Sequence, residues 1–229
     1  ILWGLADGLR GVLFTGFPWL ALGYSQAPGT PLAGFAPLLG VYGLSALTAL
    51  AAAMLVRWRV GLPVLLALGG TGYGLSQISW TTPVGPPVRV ALVQGNVPQS
   101  LKWDPTQFYR TLRLYRDLVD AHPAQLTVLP ETAAPAFLDQ LPPEFLADLK
   151  RLALREQGDL ILGTVTGSPE QYWNTALTLG ASPEQQYSKS HLVPFGEFIP
   201  PGFRWFLQVA SIPMSEFSRG PASRPPLAI

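Results

Sequence analysis

The chain has 229 residues, a formal net charge of +1 and no cysteine. Basic residues interleaved with acidic ones leave no phosphate-binding patch and so exclude a nucleic-acid partner, while the lack of thiols excludes disulfides and thiolate zinc sites and leaves the redox compartment unreadable. Of its 15 basic and 14 acidic side chains only Asp7, Arg10, Arg57 and Arg59 precede residue 88. Two different materials, 1–82 and 88–229, therefore meet at the Pro/Gly-rich linker 83–87.

The first apolar stretch, about 1–14, reads as a partial helix. Asp7 and Arg10 lie three residues apart on one of its faces, where they are expected to pair, and charges at membrane depth are by default functional or buried as pairs. The stretch has no initiator Met, basic start or small-residue cleavage pattern of a secretory signal. The last residues break off as an apolar run begins, so both ends read as cuts in a longer protein. The loop 15–36 carries Gly-Phe-Pro-Trp-Leu at 16–20, and two uses are open for Phe17 and Trp19: plain interfacial anchoring, as aromatic residues do at membrane surfaces, or the floor of a lipid-facing site.

Residues 37–56 are uncharged and apolar over a length that spans ~30 Å of hydrocarbon at about 1.5 Å per residue, which predicts a transmembrane helix. A second uncharged run, 60–80, holds Pro63 and several glycines, which membrane helices tolerate. Trp58 and Trp80 mark ends, where aromatic anchors belong. The soluble alternative makes both runs buried core helices. Arg57 and Arg59 in the turn between them place that turn in the cytoplasm by the positive-inside rule, and hence loop 15–36 and everything after residue 87 on the opposite face.

In the polar half, the apolar run 88–94 predicts a strand covered on both faces. Asp104-Pro105-Thr106-Gln107 reads as a helix start with Asp104 as N-cap, Pro at the first position and Gln107 closing a capping-box-like pair. Phe108, Leu112, Tyr115 and Val119 follow at helical spacing, and Pro123 ends the element. A strand at 125–130 and a helix at 143–157 come next, the helix with Phe145, Leu146, Leu149 and Leu152 on one face and Gly158 as its cap. Further strands are expected at 159–166, 174–179 and 186–189, the last two joined by the Ser182-Pro183-Glu184 turn. The alternation implies an α/β layer with a mixed sheet.

Glu131 follows the apolar strand 126–130 directly, and the carboxyl end of a buried strand is where α/β folds place their sites. Partial desolvation there would raise its pKa toward that of a general base; a solvated Glu at the start of the next helix is the plainer alternative. Lys189 precedes the Pro/Gly-punctuated loop His191-Leu192-Val193-Pro194-Phe195-Gly196-Glu197-Phe198. An ammonium held there can stabilise an oxyanion, or be an ordinary surface lysine. Glu197 either orients Lys189 or sits on the rim, and His191 takes no assigned role.

Taken together, the Gly-Phe-Pro-Trp-Leu loop, Gln94-Gly95-Asn96-Val97-Pro98-Gln99 with Lys102-Trp103-Asp104, Pro130-Glu131-Thr132, the run from Tyr187 to Pro200 and Ser215-Glu216-Phe217-Ser218-Arg219-Gly220 resemble the bacterial apolipoprotein N-acyltransferases, in order and over essentially the whole chain. The resemblance implies transmembrane helices ahead of an α/β nitrilase-like mixed-sheet sandwich, here incomplete, on the extracytoplasmic side of the bacterial inner membrane. It implies a Glu-Lys-Cys triad with Glu131 as base, Lys189 as oxyanion stabiliser and a cysteine beyond residue 229. It further implies a thioester route from a phospholipid donor to the α-amino group of a diacylglyceryl-modified apolipoprotein, with no metal or cofactor. Trp103 corresponds to a mobile loop over the cavity, Glu197 to a supporting carboxylate, Asn174 to a position near the site, and Trp19 and Phe17 to the lipid entrance. Two alternatives carry the same residues: a nitrilase-type amidase cleaving a small carbon-nitrogen bond, and a membrane protein that keeps the fold without the nucleophile.

Overall fold

The computed structural model describes residues 2–27, 29–203, 205 and 216–229. Ser215, part of one motif above, lies outside them. Two compact units result: Ile1–Gly85 with Val193–Phe195 and Pro200–Gly202, and Pro86–Leu192 with Gly196–Ile199 and the described residues from Phe203 onward.

In the first unit, helix α1 (Leu2–Arg10) ends well before residue 14. Positive φ angles at Phe14 and Thr15 are incompatible with continuing it. Short 3-10 turns lead to α2 (Ala36–Val56), which is broken at Gly40, whose φ of +61° suits a residue without Cβ. Helix α3 (Trp58–Ser76) follows after Arg57. Both α1 and α3 pack against α2. Among the described residues one helix, Pro31–Val56, is long and apolar enough to cross a membrane. Helix α3, which covers most of the second expected span, takes in Arg59 at its start together with Pro63 and repeated glycines, and it stops at Ser76, leaving Trp80 outside.

The second unit is built on a five-stranded sheet in the order β1 (Val90–Leu92), β2 (Leu126–Val128), β3 (Asp159–Ser168), β4 (Gln171–Gly180), β5 (Gln186–Ser188). The first three strands run parallel and the last three antiparallel, so the sheet is mixed as expected. Strand β1 departs from its expected form: it is three residues long, lies at the sheet edge, and leaves Val90 and Leu92 exposed. An apolar run reports a preference for burial, and what covers it is decided elsewhere in the chain.

Helix α4 (Phe108–Ala121) buries Leu112, Tyr115 and Val119, and α5 (Pro143–Leu154) buries Phe145, Leu149, Leu152 and Ala153. The helices pack on one another, and α5 lies on β3 and β4, where Leu160, Leu162, Leu177 and Leu179 complete the core. Each such leucine, removed from water, stabilises the fold by about 1.5–3 kcal/mol. Asp104 is the expected N-cap with Pro105 at the first position, though without the box, and the end of α5 differs from expectation. Asp104 Oδ1 accepts from the Thr106 N–H and hydroxyl, capping a single 3-10 turn, Pro105–Gln107, while the Gln107 amide donates to Thr106 Oγ1, so no reciprocal box forms. At the end of α5 the left-handed residue is Gln157, with φ +51°, and the Gly158 N–H returns to the Ala153 carbonyl.

Candidate active site

The parallel pairing of β1, β2 and β3 brings the turn after β2 against the middle of β3. There the Ala134 N–H donates to the Gly163 carbonyl and the Ala133 N–H to the Pro130 carbonyl, each at 3.1 Å. Glu131 projects from this turn, with Thr132 at a φ of +46° beside it. The approach is close enough that a Cβ at Gly163 would lie 2.3 Å from the Pro130 oxygen, 2.6 Å from the Thr132 nitrogen and 2.9 Å from the Glu131 Cα. All three are backbone atoms and cannot swing away. Gly163→Ala is therefore expected to destabilise the domain by about 1–3 kcal/mol and to displace Glu131, read as a lower unfolding midpoint in urea.

Asn174 is placed by the β3–β4 register, opposite Val165. Pairing of β4 with β5 then carries the Lys189 N–H to the Asn174 carbonyl at 2.8 Å, and the Gly220 N–H donates to the Lys189 carbonyl at 2.9 Å. Glu197, only 8% exposed, is held by its own carbonyl, which accepts from the Phe217 N–H.

The side chains converge. Lys189 Nζ donates to Glu197 Oε1 at 2.9 Å, lies 2.8 Å from Glu197 Oε2, and reaches Glu131 Oε1 at 3.4 Å. Asn174 Nδ2 donates to both Glu131 Oε1 and Glu197 Oε1, so a neutral amide bridges two carboxylates. Four of the residues singled out in the sequence, Glu131, Asn174, Lys189 and Glu197, thus form one hydrogen-bonded group. The desolvation expected at Glu131 is absent: its side chain is 57% exposed, because the turn carries it beyond the sheet.

Burial opposes the charge on Lys189, but hydrogen bonds and charges from Glu197 and Glu131 outweigh it and hold the ammonium above its ordinary value of 10.5. The sign follows from linkage: the stability this pairing adds is fully present below the ordinary lysine value and is lost as pH rises through the higher folded one. Melting curves should therefore show the lysine's contribution constant from about pH 7 to pH 10 and falling only above that.

Lys102 is the residue whose part the sequence did not reveal. Its Nζ donates to the Glu131 main-chain oxygen at 3.1 Å, tying the loop ahead of α4 to the turn that carries the carboxylate. Burial lowers its pKa, with the Glu131 charge opposing. It stood beside Trp103 in the Lys-Trp-Asp motif, yet a loop lysine is solvated by default. Trp103 lines a shallow pocket of about 240 Å³ with Phe108, Pro135 and Gln140. In the first unit, Phe17 and Trp19 stack with ring centroids 6.4 Å apart and an interplanar angle of 15°.

The stretch of chain that carries these side chains is matched by a known family. The carbon-nitrogen hydrolase family model matches residues 89–209, more than half of the chain. The chain belongs to the carbon-nitrogen hydrolase family.

Within that family its relatives are specific. The N-terminal domain model of apolipoprotein N-acyltransferase matches residues 1–54. This carbon-nitrogen hydrolase chain is 51% identical to an apolipoprotein N-acyltransferase of Nitrosomonas europaea over 99% of its own length and 48% of the relative's. It is 44% identical to one of Chromobacterium violaceum, over 99% and 46%. The resemblance read from the motifs is borne out, and the chain spans about half the length of the curated relatives it matches. Among solved structures, a carbon-nitrogen hydrolase superfamily protein from Xanthomonas campestris matches 46% of this chain and 42% of its own, at 22% identity and a TM-score of 0.37.

Proposed function

We propose that the full-length protein is an apolipoprotein N-acyltransferase of the bacterial cytoplasmic membrane, moving a fatty acyl chain from a phospholipid to the α-amino group of a diacylglyceryl-cysteine. The observation that carries this reading is the continuity of the similarity: it runs through the apolar first unit as well as the hydrolase unit. A soluble amide would need no bilayer-level segment. The positive turn at Arg57 and Arg59 supports a cytoplasmic turn with the hydrolase unit outside, and a multi-pass protein.

The chemistry runs in two balanced halves. Glu131 takes the proton of a cysteine thiol, and the thiolate attacks the acyl ester carbon. The resulting oxyanion is met by the Lys189 ammonium, which Glu197 and Asn174 hold in place. Collapse breaks the ester bond, the proton passes from Glu131 to the departing glycerol oxygen, and a thioester remains. The acceptor amine then attacks that thioester, Glu131 removes its proton, and the thiolate leaves and is reprotonated. Trp103 shields the cavity, and Phe17 and Trp19 form the lipid-facing entrance.

This reading requires a cysteine that none of the 229 residues supplies. The chain alone is accordingly inert in acyl transfer. The test is full-length protein in phospholipid micelles with a diacylglyceryl peptide, product followed by mass spectrometry. N-acylated peptide is expected; turnover of small amides without lipid, and no peptide product, would favour the amidase.

A further inference from the structure

The first unit contains a buried carboxylate that the chemistry above does not use. Asp7 is 8% exposed. Its Oδ2 accepts from Ser45 Oγ at 2.7 Å and the Leu22 N–H at 2.9 Å, and its Oδ1 from Arg10 Nη2 at 3.1 Å. Ser45 Oγ, itself fully buried, accepts from the Gly23 N–H at 2.8 Å. Arg10 extends the network in the other direction: its Nη1 donates to the Trp19 carbonyl, and its own carbonyl accepts from the Phe17 N–H at 3.0 Å. The main chain at 17, 19, 22 and 23 is thus tied, through three side chains and one carbonyl, to helices α1 and α2.

What is held in this way is exposed. Trp19 is 67%, Leu20 87% and Phe17 40% accessible, and Leu20 sits at a φ of +60°, a conformation costly for a residue with a Cβ. An ion pair with one partner buried, as Asp7 is here, is weak evidence for stability in its own right, and the best-attested use of such a pair is to specify one conformation.

We propose that Asp7, Arg10 and Ser45 are positioning residues that fix the main chain of loop 16–23, so that Phe17 and Trp19 present one stacked aromatic face to the acyl chains of the phospholipid donor. This rests on the phospholipid being the substrate. The set acts on donor binding and leaves the reacting atoms alone.

The test uses full-length protein in micelles containing dioleoylphosphatidylglycerol, or the same lipid brominated in its acyl chains. Arg10→Gln, at a partly exposed position, and Asp7→Asn are compared with wild type, each with and without Trp19→Phe. Both variants should raise the KM for phospholipid about tenfold while kcat stays within about twofold. The share of bromine quenching that depends on Trp19 should fall by about half, because quenching requires contact with the acyl chain. Unchanged KM and quenching in Arg10→Gln would overturn the proposal. So would a loss of kcat that tracks the melting temperature with quenching intact. Arg10→Gln decides the matter if Asp7→Asn does not fold. The quenching arm needs no catalysis, so Trp19 quenching that responds to both variants in a protein that does not acylate would sink the acyltransferase reading and leave the positioning role standing.

Discussion

On the proposed acyl transfer, Glu131→Gln in the full-length protein is expected to lower kcat by about 10²–10⁴-fold while the KM for phospholipid changes less than about twofold. The substitution keeps the shape of the side chain. An amide oxygen in place of Oε1 still accepts from Asn174 Nδ2 and still lies near Lys189 Nζ. The exposure of the side chain means that little packing is disturbed, so the melting temperature should be nearly unchanged. What is lost is the ability to take a proton. If the same carboxylate serves thiol and amine in turn, as proposed, thioester formation and aminolysis should both slow, and single-turnover measurements of each half separate them. Retention of activity within about threefold would remove Glu131 from the role of base.

Lys189→Met is expected to act on both chemistry and fold. Losing the oxyanion's cation is expected to cost about 10²–10³-fold in kcat. It also takes from Glu197, 8% exposed, the ammonium that donates to it, and losing such a partner of a buried charge destabilises by about 1–3 kcal/mol. The double variant Lys189→Met/Glu197→Gln removes that charge and should recover most of the lost stability without recovering activity. Recovery of both would mean that the lysine serves the fold alone. Recovery of neither would mean that its partners lie elsewhere.

The sequence disclosed different parts of this molecule to different degrees. Periodicity located α4 and α5 and their buried faces, because Leu112, Tyr115 and Val119, or Phe145, Leu149 and Leu152, must face one core wherever it lies. The mixed sheet followed from the order of apolar runs and turns. Element ends were legible in part, since they depend on local hydrogen bonds: Asp104 caps Thr106 as its N-cap reading requires, but Gln107 turns to Thr106 Oγ1 instead of closing the box, and Gln157 adopts the left-handed conformation ahead of Gly158.

The candidate site was legible as residue types and illegible as geometry. Glu131 and Lys189 stand 58 residues apart, and the sheet order β2-β3-β4-β5 brings them to 3.4 Å. The bridging amide of Asn174 depends on strand register, which no local pattern encodes. Lys102 was hidden because its partner is a main-chain carbonyl, and Gly163 because its function is to have no side chain.

One covalent intermediate, formed with Glu131 and Lys189 in place, separates the acyltransferase from the amidase. Full-length protein is mixed with a phospholipid of known acyl chain in the absence of acceptor, and its intact mass is measured. A single adduct with the mass of that acyl group, released by hydroxylamine and missing in Glu131→Gln, is the predicted result; an unmodified protein that nonetheless hydrolyses small amides without lipid would contradict it.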